Sequence, residues 1–303
     1  MTNKFLLAHV SDLHMTKVED IALGDLNVKR GLGLLNWARS RNHIHSRAVA
    51  DLVAADIVRQ KPDHVAVTGD LANLGLPFEY HDARTWLESL GSPDRVSVVP
   101  GNHDIYTGEG SEAALIEAWS PFLTGDIDAT DHAFPFVRRR GPVVLIGLNS
   151  AVPTRPFIAA GRLGARQIER LDRCLSVLSE PGLIRVVLIH HPPLPGLAPR
   201  RRALADADAL TEGLARHRVD LVLHGHNHTE MVTWLDGVDG PVPIIGVPSG
   251  SARTTHGREP RARYYLFAIT RIGAHVELTK IVRGLGSTST EIVELARTKL
   301  VPH

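Results

Sequence analysis

The sequence predicts an α/β fold built around a large internal sheet. Apolar runs of strand length recur along the chain and are rich in Val, Ile and Leu, as in strands that are buried on both faces. These runs are Phe5 to Val10, His64 to Thr68, Val96 to Val99, Val143 to Leu148, Val186 to Ile189, Leu221 to Leu223, Ile244 to Val247 and Tyr264 to Ile269. Stretches with helical periodicity alternate with them, namely Ser46 to Gln60, Glu79 to Leu90, Glu112 to Phe122, Ala165 to Ser179 and Ala207 to Arg216. Such alternation is typical of α/β chains.

After Trp234, in the last third of the chain, the alternation of strand and helix candidates ends. Several short strand candidates separated by Gly and Pro follow, and they favour a second, more antiparallel sheet. One late helix is expected from Glu291 to Leu300. We therefore predict a single domain over residues 1–285, with an insertion at 15–45 that is placed to cover a site, and a C-terminal helical extension at 286–303.

Composition and charge exclude several classes of function. The chain has 303 residues and a net charge of +1, so no overall field selects nucleic acid or an anionic membrane. Cys174 is the only cysteine, which excludes an intramolecular disulfide and a metal site of several thiolates. No apolar run approaches the ~18 residues that span a bilayer. We expect a cytoplasmic protein, with peripheral contact to a membrane left open.

Five polar motifs follow apolar runs, at the points where strands would end. They are Asp12 with His14, Gly69-Asp70, Gly101-Asn102-His103-Asp104, His190 before Pro192-Pro193, and Gly225-His226-Asn227-His228. In open α/β sheets, ligands bind outside the carboxyl ends of the strands, so five remote segments can meet at one edge. Residues two apart in an extended segment point to the same side, which lets Asp12 and His14 converge on one ion.

The motifs supply more oxygen and imidazole donors than one ion can use, which indicates two adjacent metal ions. Carboxylate, carboxamide and imidazole donors without sulfur suit Mn, Fe or Zn, and the sequence does not choose among these metals. Two ions roughly 3.5 to 4 Å apart lower the pKa of a shared water and neutralise the charge that grows on phosphoryl oxygens. The chemistry expected of such a pair is phosphoester hydrolysis.

At these residues the chain resembles the calcineurin-like metallophosphoesterase superfamily, and in particular the bacterial class III cyclic nucleotide phosphodiesterases. The superfamily pattern is D-x-H, G-D, G-N-H-D/E, H-x-P and G-H-x-H, and all five blocks are present in that order between residues 5 and 250. The resemblance implies a four-layer α-β-β-α sandwich of two mixed sheets flanked by helices. It also implies two ligand sets with one bridge, which are Asp12, His14 and His228 at one ion, Asn102, His190 and His226 at the other, and Asp70 between them.

The same resemblance gives His103 a catalytic role, in which it protonates the leaving oxygen or stabilises the phosphoryl group while Asp104 orients its ring. General chemistry agrees, because an alkoxide leaves poorly and gains from an acid whose pKa lies near the working pH. The leading interpretation is a phosphodiesterase that acts on a small phosphodiester, with a cyclic nucleotide as the preferred substrate.

Other functions stay open at this stage. One is hydrolysis of a lipid-linked phosphoester or pyrophosphate, or of a glycerophosphodiester, with the insertion at 15–45 as a cap. The UDP-diacylglucosamine pyrophosphatases resemble this arrangement, but they carry Arg where this chain has His103. A non-catalytic scaffold is disfavoured because no ligand position is lost. No stable nucleic-acid partner is expected, since a basic stripe with interleaved aromatic residues is missing.

Several further residues have competing interpretations. Apolar residues of the insertion fit lid packing, the face of a homodimer, or contact with lipid; they are Leu32, Leu34, Leu35 and Trp37. Asn73 either supports the metal ligands or caps a turn. The runs Arg138 to Arg140 and Arg200 to Arg202 are interpreted as solvated loop charges, although the second lies close enough to His190 to reach a substrate phosphate.

Overall fold

A computed structural model describes residues 4–16, 20–108, 110–126, 134–180, 182–273, 275–286 and 290–302. Within these residues, twelve strands form two six-stranded mixed sheets that face each other, and helices cover the outer face of each sheet. The layers are thus helix, sheet, sheet and helix. This arrangement confirms the expected α/β sandwich.

The strands are numbered in chain order. They are β1 Lys4–Val10, β2 His64–Val67, β3 Val96–Val98, β4 Phe136–Arg140, β5 Val143–Gly147, β6 Ile184–Leu188, β7 Leu221–His224, β8 Met231–Gly237, β9 Gly240–Gly246, β10 Arg263–Ile272, β11 His275–Leu285 and β12 Ile292–Lys299. The first sheet has the order β12-β11-β10-β1-β2-β3, and the second has the order β4-β5-β6-β7-β9-β8. In the first sheet β1, β2 and β3 are parallel, and in the second β5, β6, β7 and β9 are parallel.

Seven α-helices and one π-helical turn are seen among the described residues. They are α1 Val28–Asn36, the π-helical turn Trp37–Arg41, α2 Asn42–Ile44, α3 Arg47–Gln60, α4 Pro77–Leu90, α5 Ser111–Leu123, α6 Ala165–Val177 and α7 Ala207–Arg216. Helices α3, α4 and α5 pack on the first sheet through side chains such as Ile57, Trp86 and Trp119. Helices α6 and α7 pack on the second sheet through Leu171 and Leu210.

A third apolar core fills the space between the two sheets. It includes Leu7 from β1, Leu188 from β6 and Phe267 from β10, all fully buried. Because β1 and β6 are buried on both faces, their sequences are continuous apolar runs rather than alternating ones. No helix within the described segments is long and apolar enough to cross a membrane.

The prediction of a helix from Glu291 to Leu300 is wrong, and the described part of the 286–303 extension, residues 286 and 290–302, contains no helix. Residues Ile292–Lys299 form β12, which pairs antiparallel with β11. The edge of β11 presents backbone N–H and C=O groups that need partners. Pairing with this edge supplies a tertiary reason for extended backbone that no local pattern in the sequence displays.

The insertion at 15–45 lies against the loops that follow β2 and β3. Lys29 Nζ donates to the carbonyl of Tyr106 at 2.7 Å, and the Arg30 guanidinium donates to the carbonyl of Gly75 at 2.9 Å. Helix α1 is therefore held beside the carboxyl edge of the first sheet. Leu35 is 52% exposed, so part of the apolar set on the insertion faces away from this contact.

The interpretation of Arg138 as a solvated charge is wrong. Its side chain is buried on β4 and donates at 2.6 Å to four backbone carbonyls, which belong to Pro93, Val96, Pro121 and Thr124. The sequence shows only a run of three arginines. Successive side chains of a strand point to opposite faces, so Arg138 points into the protein and Arg139 points outward. Arg139, one residue on, is exposed and pairs with Glu180 at 3.1 Å.

The two neighbouring arginines make a matched test of this packing. We expect Arg138→Ala to lower the free energy of unfolding by about 2 to 4 kcal/mol, because four carbonyls lose their donor in a buried setting. Arg139→Ala should change it by less than about 1 kcal/mol, as exposed ion pairs usually do. Urea titration of both variants measures the difference, and equal effects would contradict the buried role of Arg138.

Candidate metal centre

The five motifs meet where the carboxyl ends of strands from the two sheets come together. Motifs after β1, β2 and β3 come from the first sheet, and motifs after β6 and β7 come from the second. The two sheets thus contribute to one site. The predicted ligands are buried except for His228, whose side chain is 11% exposed; the buried ones are Asp12, His14, Asp70, Asn102, His190 and His226.

One group of donor atoms gathers around His228. Its Nε2 atom lies 3.1 Å from Nε2 of His14 and 3.2 Å from Oδ1 of Asp12. On the other side of the ring, Nδ1 lies 3.3 Å from Oε2 of Glu259. A carboxylate at Nδ1 fixes the tautomer and directs the lone pair of Nε2 toward the other donors, as behind many metal-binding histidines.

A second group gathers around His190. Its Nε2 atom lies 3.2 Å from Oδ1 of Asn102 and 3.2 Å from Nδ1 of His226. Its Nδ1 atom donates to the carbonyl of Thr68 at 2.7 Å, which again leaves Nε2 with its lone pair facing inward. Oδ2 of Asp70 stands between the groups, 3.4 Å from Nε2 of His190 and 3.9 Å from Nε2 of His14.

The spacing of these atoms fits metal coordination. Donors bound to one ion by bonds of about 2.1 Å lie about 3.0 to 3.4 Å apart in octahedral or tetrahedral geometry. The distances within both groups fall in this range. Facing acceptor atoms at such distances repel unless a proton or a metal ion lies between them, and the two groups of donors fit two metal ions with one carboxylate shared.

Strained backbone is concentrated at the same residues. Five predicted ligands have a positive φ between 49° and 72°; they are Asp12, His14, Asp70, His226 and His228. Among the other described non-glycine residues only Lys61 and Phe157 share this conformation. Each such residue costs of order 1 to 3 kcal/mol and persists where the surroundings impose it, which is common at functional sites.

The motif glycines allow the loops to approach closely. Gly69 has φ +85°, and a Cβ atom there would overlap the backbone nitrogen of Gly101. A Cβ atom on Gly225 would overlap the hydroxyl oxygen of Ser11. Glycine is therefore required for the strand ends to bring the ligands of different loops within bonding range of shared ions.

Burial and the nearby carboxylates shift the pKa values of the histidines in the centre. Burial opposes protonation of His190, but the carboxylate of Asp70 outweighs it and raises the pKa of His190 to about 9. Burial likewise opposes protonation of His228, whose pKa the carboxylate of Asp12 raises to about 9. By contrast, burial lowers the pKa of His14 and of His226. Metal binding must displace the protons held by the first pair.

Asp104 does not contact the His103 ring, so the expectation that it orients this ring is wrong. Its carboxylate accepts hydrogen bonds from four backbone amides, those of Asp70, Leu71, Ala72 and Gly101, at 2.7 to 2.9 Å. Burial and the nearby Asp70 raise the pKa of Asp104 to about 8, while the four donors favour its charged form. Asp104 thus joins the loop after β2 to the loop after β3.

His103 is oriented by other groups. Its amide donates to Oδ1 of Asp70 at 2.8 Å, and its Nδ1 atom lies 2.7 Å from the carbonyl of Asn73, which makes Nδ1 the donor and Nε2 the acceptor in a neutral ring. The Arg41 guanidinium donates to Nε2 at 2.8 Å. Burial, and after it the charge of Arg41, lower the pKa of His103 to about 3. While Arg41 donates to Nε2, this nitrogen has no proton to give.

Asn73 supports the metal-binding loops rather than only capping a turn. Its amide nitrogen donates to the carbonyl of His14 at 2.7 Å and to the Thr16 hydroxyl at 2.6 Å. Its side-chain oxygen accepts from Arg41 at 3.2 Å. The residue therefore links the first motif to the insertion.

Sequence reasoning missed three residues near the centre, namely Arg41, His45 and Glu259. The His45 ring centroid lies 4.7 Å from that of His14, and its Nδ1 atom lies 2.9 Å from the Ser251 hydroxyl. Arg41 and His45 come from the insertion, where no motif in the sequence distinguishes them. Glu259 follows the last motif by 31 residues, and no local pattern in the sequence distinguishes it.

An open cavity of about 430 Å³ lies over the centre, a volume suited to a small ligand. Its wall combines side chains of the insertion, of the loops after β3, β5 and β6, and of the last third of the chain; these include Lys29, Arg41, Tyr106, Phe157, Arg202 and Glu259. Arg202 also donates to the carbonyl of His226 at 2.7 Å, so this member of the second arginine run lies at the site rather than only in solvent.

A family model and related sequences both indicate that the chain is similar to phosphoesterases. A family model described as calcineurin-like phosphoesterase matches residues 5–230. A probable cyclic nucleotide phosphodiesterase of Synechococcus sp. is 32% identical over 186 residues, which cover 60% of this chain and 64% of that protein. The glycerophosphodiester phosphodiesterase GpdQ of Enterobacter lignolyticus is 29% identical over 194 residues, covering 63% of this chain and 58% of that protein. The chain thus spans less than two thirds of the length of both relatives.

Solved structures share the fold. A dimetal phosphatase from Danio rerio superposes with a TM-score of 0.57 at 13% identity, covering 96% of this chain and 98% of that chain. Similarity at this level of identity concerns the architecture alone.

The contacts of Asp104 generate a direct test. We expect Asp104→Asn to lower the free energy of unfolding by about 2 to 4 kcal/mol, because its amide group would face backbone donors in place of an acceptor oxygen. Metal affinity should fall with it, since the loops that carry Asp70 and Asn102 come apart. Thermal unfolding and metal titration measure both effects. Loss of turnover with unchanged stability and metal affinity would instead support the ring-orienting role.

Proposed function

The chain belongs to the calcineurin-like phosphoesterase family, and on this premise we propose that it is a phosphoric ester hydrolase, namely a phosphodiesterase with a dinuclear metal centre. Residues 1–285 form the catalytic domain, and the insertion at 15–45 covers the site. The observation that carries the proposal is the pair of donor groups on either side of Asp70.

The proposal assigns each donor group to one ion of Mn, Fe or Zn. One ion would be held by Asp12, His14 and His228 and the other by Asn102, His190 and His226, and Asp70 would contribute to both. When bound, such a pair would lower the pKa of a bound water and neutralise charge on phosphoryl oxygens. The donor distances of 3.1 to 3.2 Å within each group support this assignment.

The protein contributes the orientation of its own ligands. The carbonyl of Thr68 holds Nδ1 of His190, and the carboxylate of Glu259 holds Nδ1 of His228, so both Nε2 atoms face the centre. The His103 amide holds Oδ1 of Asp70 and leaves Oδ2 between the two groups. Little reorganisation is then needed when charge develops in the transition state.

His103 is proposed as the group that assists the leaving oxygen: its neutral Nε2 would take up a proton from solvent in place of the Arg41 hydrogen bond and pass this proton to the leaving oxygen. Asn73 fixes the ring through Nδ1, so Nε2 is the atom directed into the cavity that Asn102, His226 and His228 also line. The substrate class rests on the relatives. The similarity to a probable cyclic nucleotide phosphodiesterase supports a cyclic nucleotide, and the cavity of about 430 Å³ has room for one.

A glycerophosphodiester is the second candidate substrate, and the 29% identity to GpdQ favours it. A lipid-linked substrate is less favoured by the cavity wall. The insertion presents Lys29, Asn36 and Arg41 to the cavity beside Leu32 and Ile44, a mixed surface rather than an apolar channel for an acyl chain.

A substrate panel with matched metal reconstitution tests the proposal. The purified protein, loaded separately with Mn, Fe or Zn, is assayed on cyclic AMP, cyclic GMP, glycerophosphocholine, bis-p-nitrophenyl phosphate and p-nitrophenyl phosphate. We expect faster turnover of diesters than of the monoester, with a cyclic nucleotide preferred over glycerophosphocholine. Metal-loaded protein that cleaves none of the diesters would refute the proposed function.

The role of His103 is tested by leaving-group dependence. We expect His103→Ala to retain its metal ions and to hydrolyse alkyl diesters on the order of 10² to 10⁴ fold more slowly, the usual effect of losing a positioned acid. Activated aryl esters should lose less, because an aryloxide leaves without a proton. Steady-state rates on the two ester types measure the ratio, and equal losses would argue against leaving-group assistance.

A further inference from the structure

Arg41 places a positive charge in the cavity wall without a carboxylate partner. Among the described residues, no carboxylate oxygen lies within 4.0 Å of its guanidinium. The groups that it contacts are neutral: one guanidinium nitrogen lies 2.8 Å from Nε2 of His103, and another lies 3.1 Å from Nδ1 of the same ring and 3.2 Å from Oδ1 of Asn73. A partly buried cation with neutral contacts alone is costly, and an anion that enters the cavity would offset this cost.

The position of Arg41 is set by the insertion. Arg41 is the last residue of the π-helical turn Trp37–Arg41, and single π-helical turns are frequent at functional sites. Helix α1, directly before this turn, is tied down by the bonds of Lys29 to Tyr106 and of Arg30 to Gly75. The guanidinium is thus supplied by a segment that is anchored to the site loops on its N-terminal side.

The surroundings of Arg41 are those of the reacting group in the proposed function. The cavity that it lines is also lined by the ligands Asp70, Asn102, His226 and His228. His103, against which it packs, is joined through its amide to Oδ1 of Asp70. An anion bound next to the metal ligands therefore lies within reach of the guanidinium.

We propose that Arg41 is a substrate-binding residue whose guanidinium takes the non-bridging oxygens of the substrate phosphoryl group, giving up its contact with His103. This inference rests on the proposed phosphodiesterase function. The planar guanidinium matches two phosphoryl oxygens with two parallel hydrogen bonds. Its departure leaves Nε2 of His103 open toward the leaving oxygen. The contact strengthens as negative charge grows on the phosphoryl oxygens, so it favours the transition state over the ground state.

The proposal explains why the chain carries the insertion between its first two motifs. The five motifs supply metal ligands and His103, but no arginine or lysine side chain for the phosphoryl oxygens. The insertion adds such a side chain from outside the sheet edge. Arg202 and Lys29 line the same cavity, and the Arg202 side chain already donates to the carbonyl of His226.

The test compares three variants with inorganic phosphate as the probe. Arg41→Ala removes the guanidinium, and Arg41→Gln keeps a hydrogen-bond donor for His103 and Asn73 but removes the charge. Arg39→Ala is the matched control, since Arg39 lies in the same π-helical turn and is exposed. Each metal-loaded protein is measured for phosphate affinity by calorimetry, for kcat and KM on bis-p-nitrophenyl phosphate, for metal content and for thermal unfolding.

We expect the phosphate Kd to rise about 10- to 100-fold in both Arg41 variants, the range for a lost hydrogen bond to a charged group. Metal content should be unchanged, kcat/KM should fall at least as far as phosphate affinity, and Arg39→Ala should match the wild type. If Arg41→Ala does not fold, Arg41→Gln decides alone. Wild-type phosphate affinity in folded, metal-loaded Arg41→Gln would overturn the proposal and assign Arg41 a structural role.

Failure of this inference is distinguishable from failure of the proposed function. If the wild type turns over diesters and Arg41→Gln binds phosphate equally well, the inference alone fails. If the metal-loaded wild type cleaves no diester, the proposed function fails and the inference falls with it.

Discussion

The carboxylate of Asp104 holds together the two loops on which the centre depends. Four backbone amides donate to it, three from the loop that carries Asp70 and one from the loop that carries Asn102. Four hydrogen bonds to one buried carboxyl group form a network that holds the two loops at fixed distances from each other. They fix the position of the shared carboxylate, and the distances from Asp70 to His14 and His190 follow from that position.

This arrangement requires strained backbone in the loops that carry the ligands. Positive φ at Asp12, Asp70 and His226 is tolerated because each residue lies within three residues of the end of a strand whose side chains are packed in the core between the sheets. The rigid strands hold the loops where relaxation would separate the donors. The stable sheets thus hold the ligands in position before the metal ions bind, which lowers the free-energy cost of binding these ions.

Much of the fold and of the metal-binding motifs could be predicted from the sequence, because buried strands and the residues that end them are local patterns. The strand after Glu291 could not, since it forms only because the edge of β11 needs a partner. The sequence-based interpretation of Arg138 rests on the run of arginines around it and that of Asp104 on the family resemblance, whereas backbone groups mostly remote in sequence determine the roles of both. Arg41 and Glu259 come close to the metal centre only through tertiary structure, and no sequence motif identifies them.

Metal stoichiometry in Asp70→Ala tests most directly the claim that one carboxylate unites two metal sites. Ions bound per chain are measured by plasma mass spectrometry after reconstitution, beside the exposed control Asp51→Ala. The account predicts two ions in the wild type and in the control, and loss of both together in folded Asp70→Ala. Retention of two ions without Asp70, or a single ion in the wild type, would contradict it.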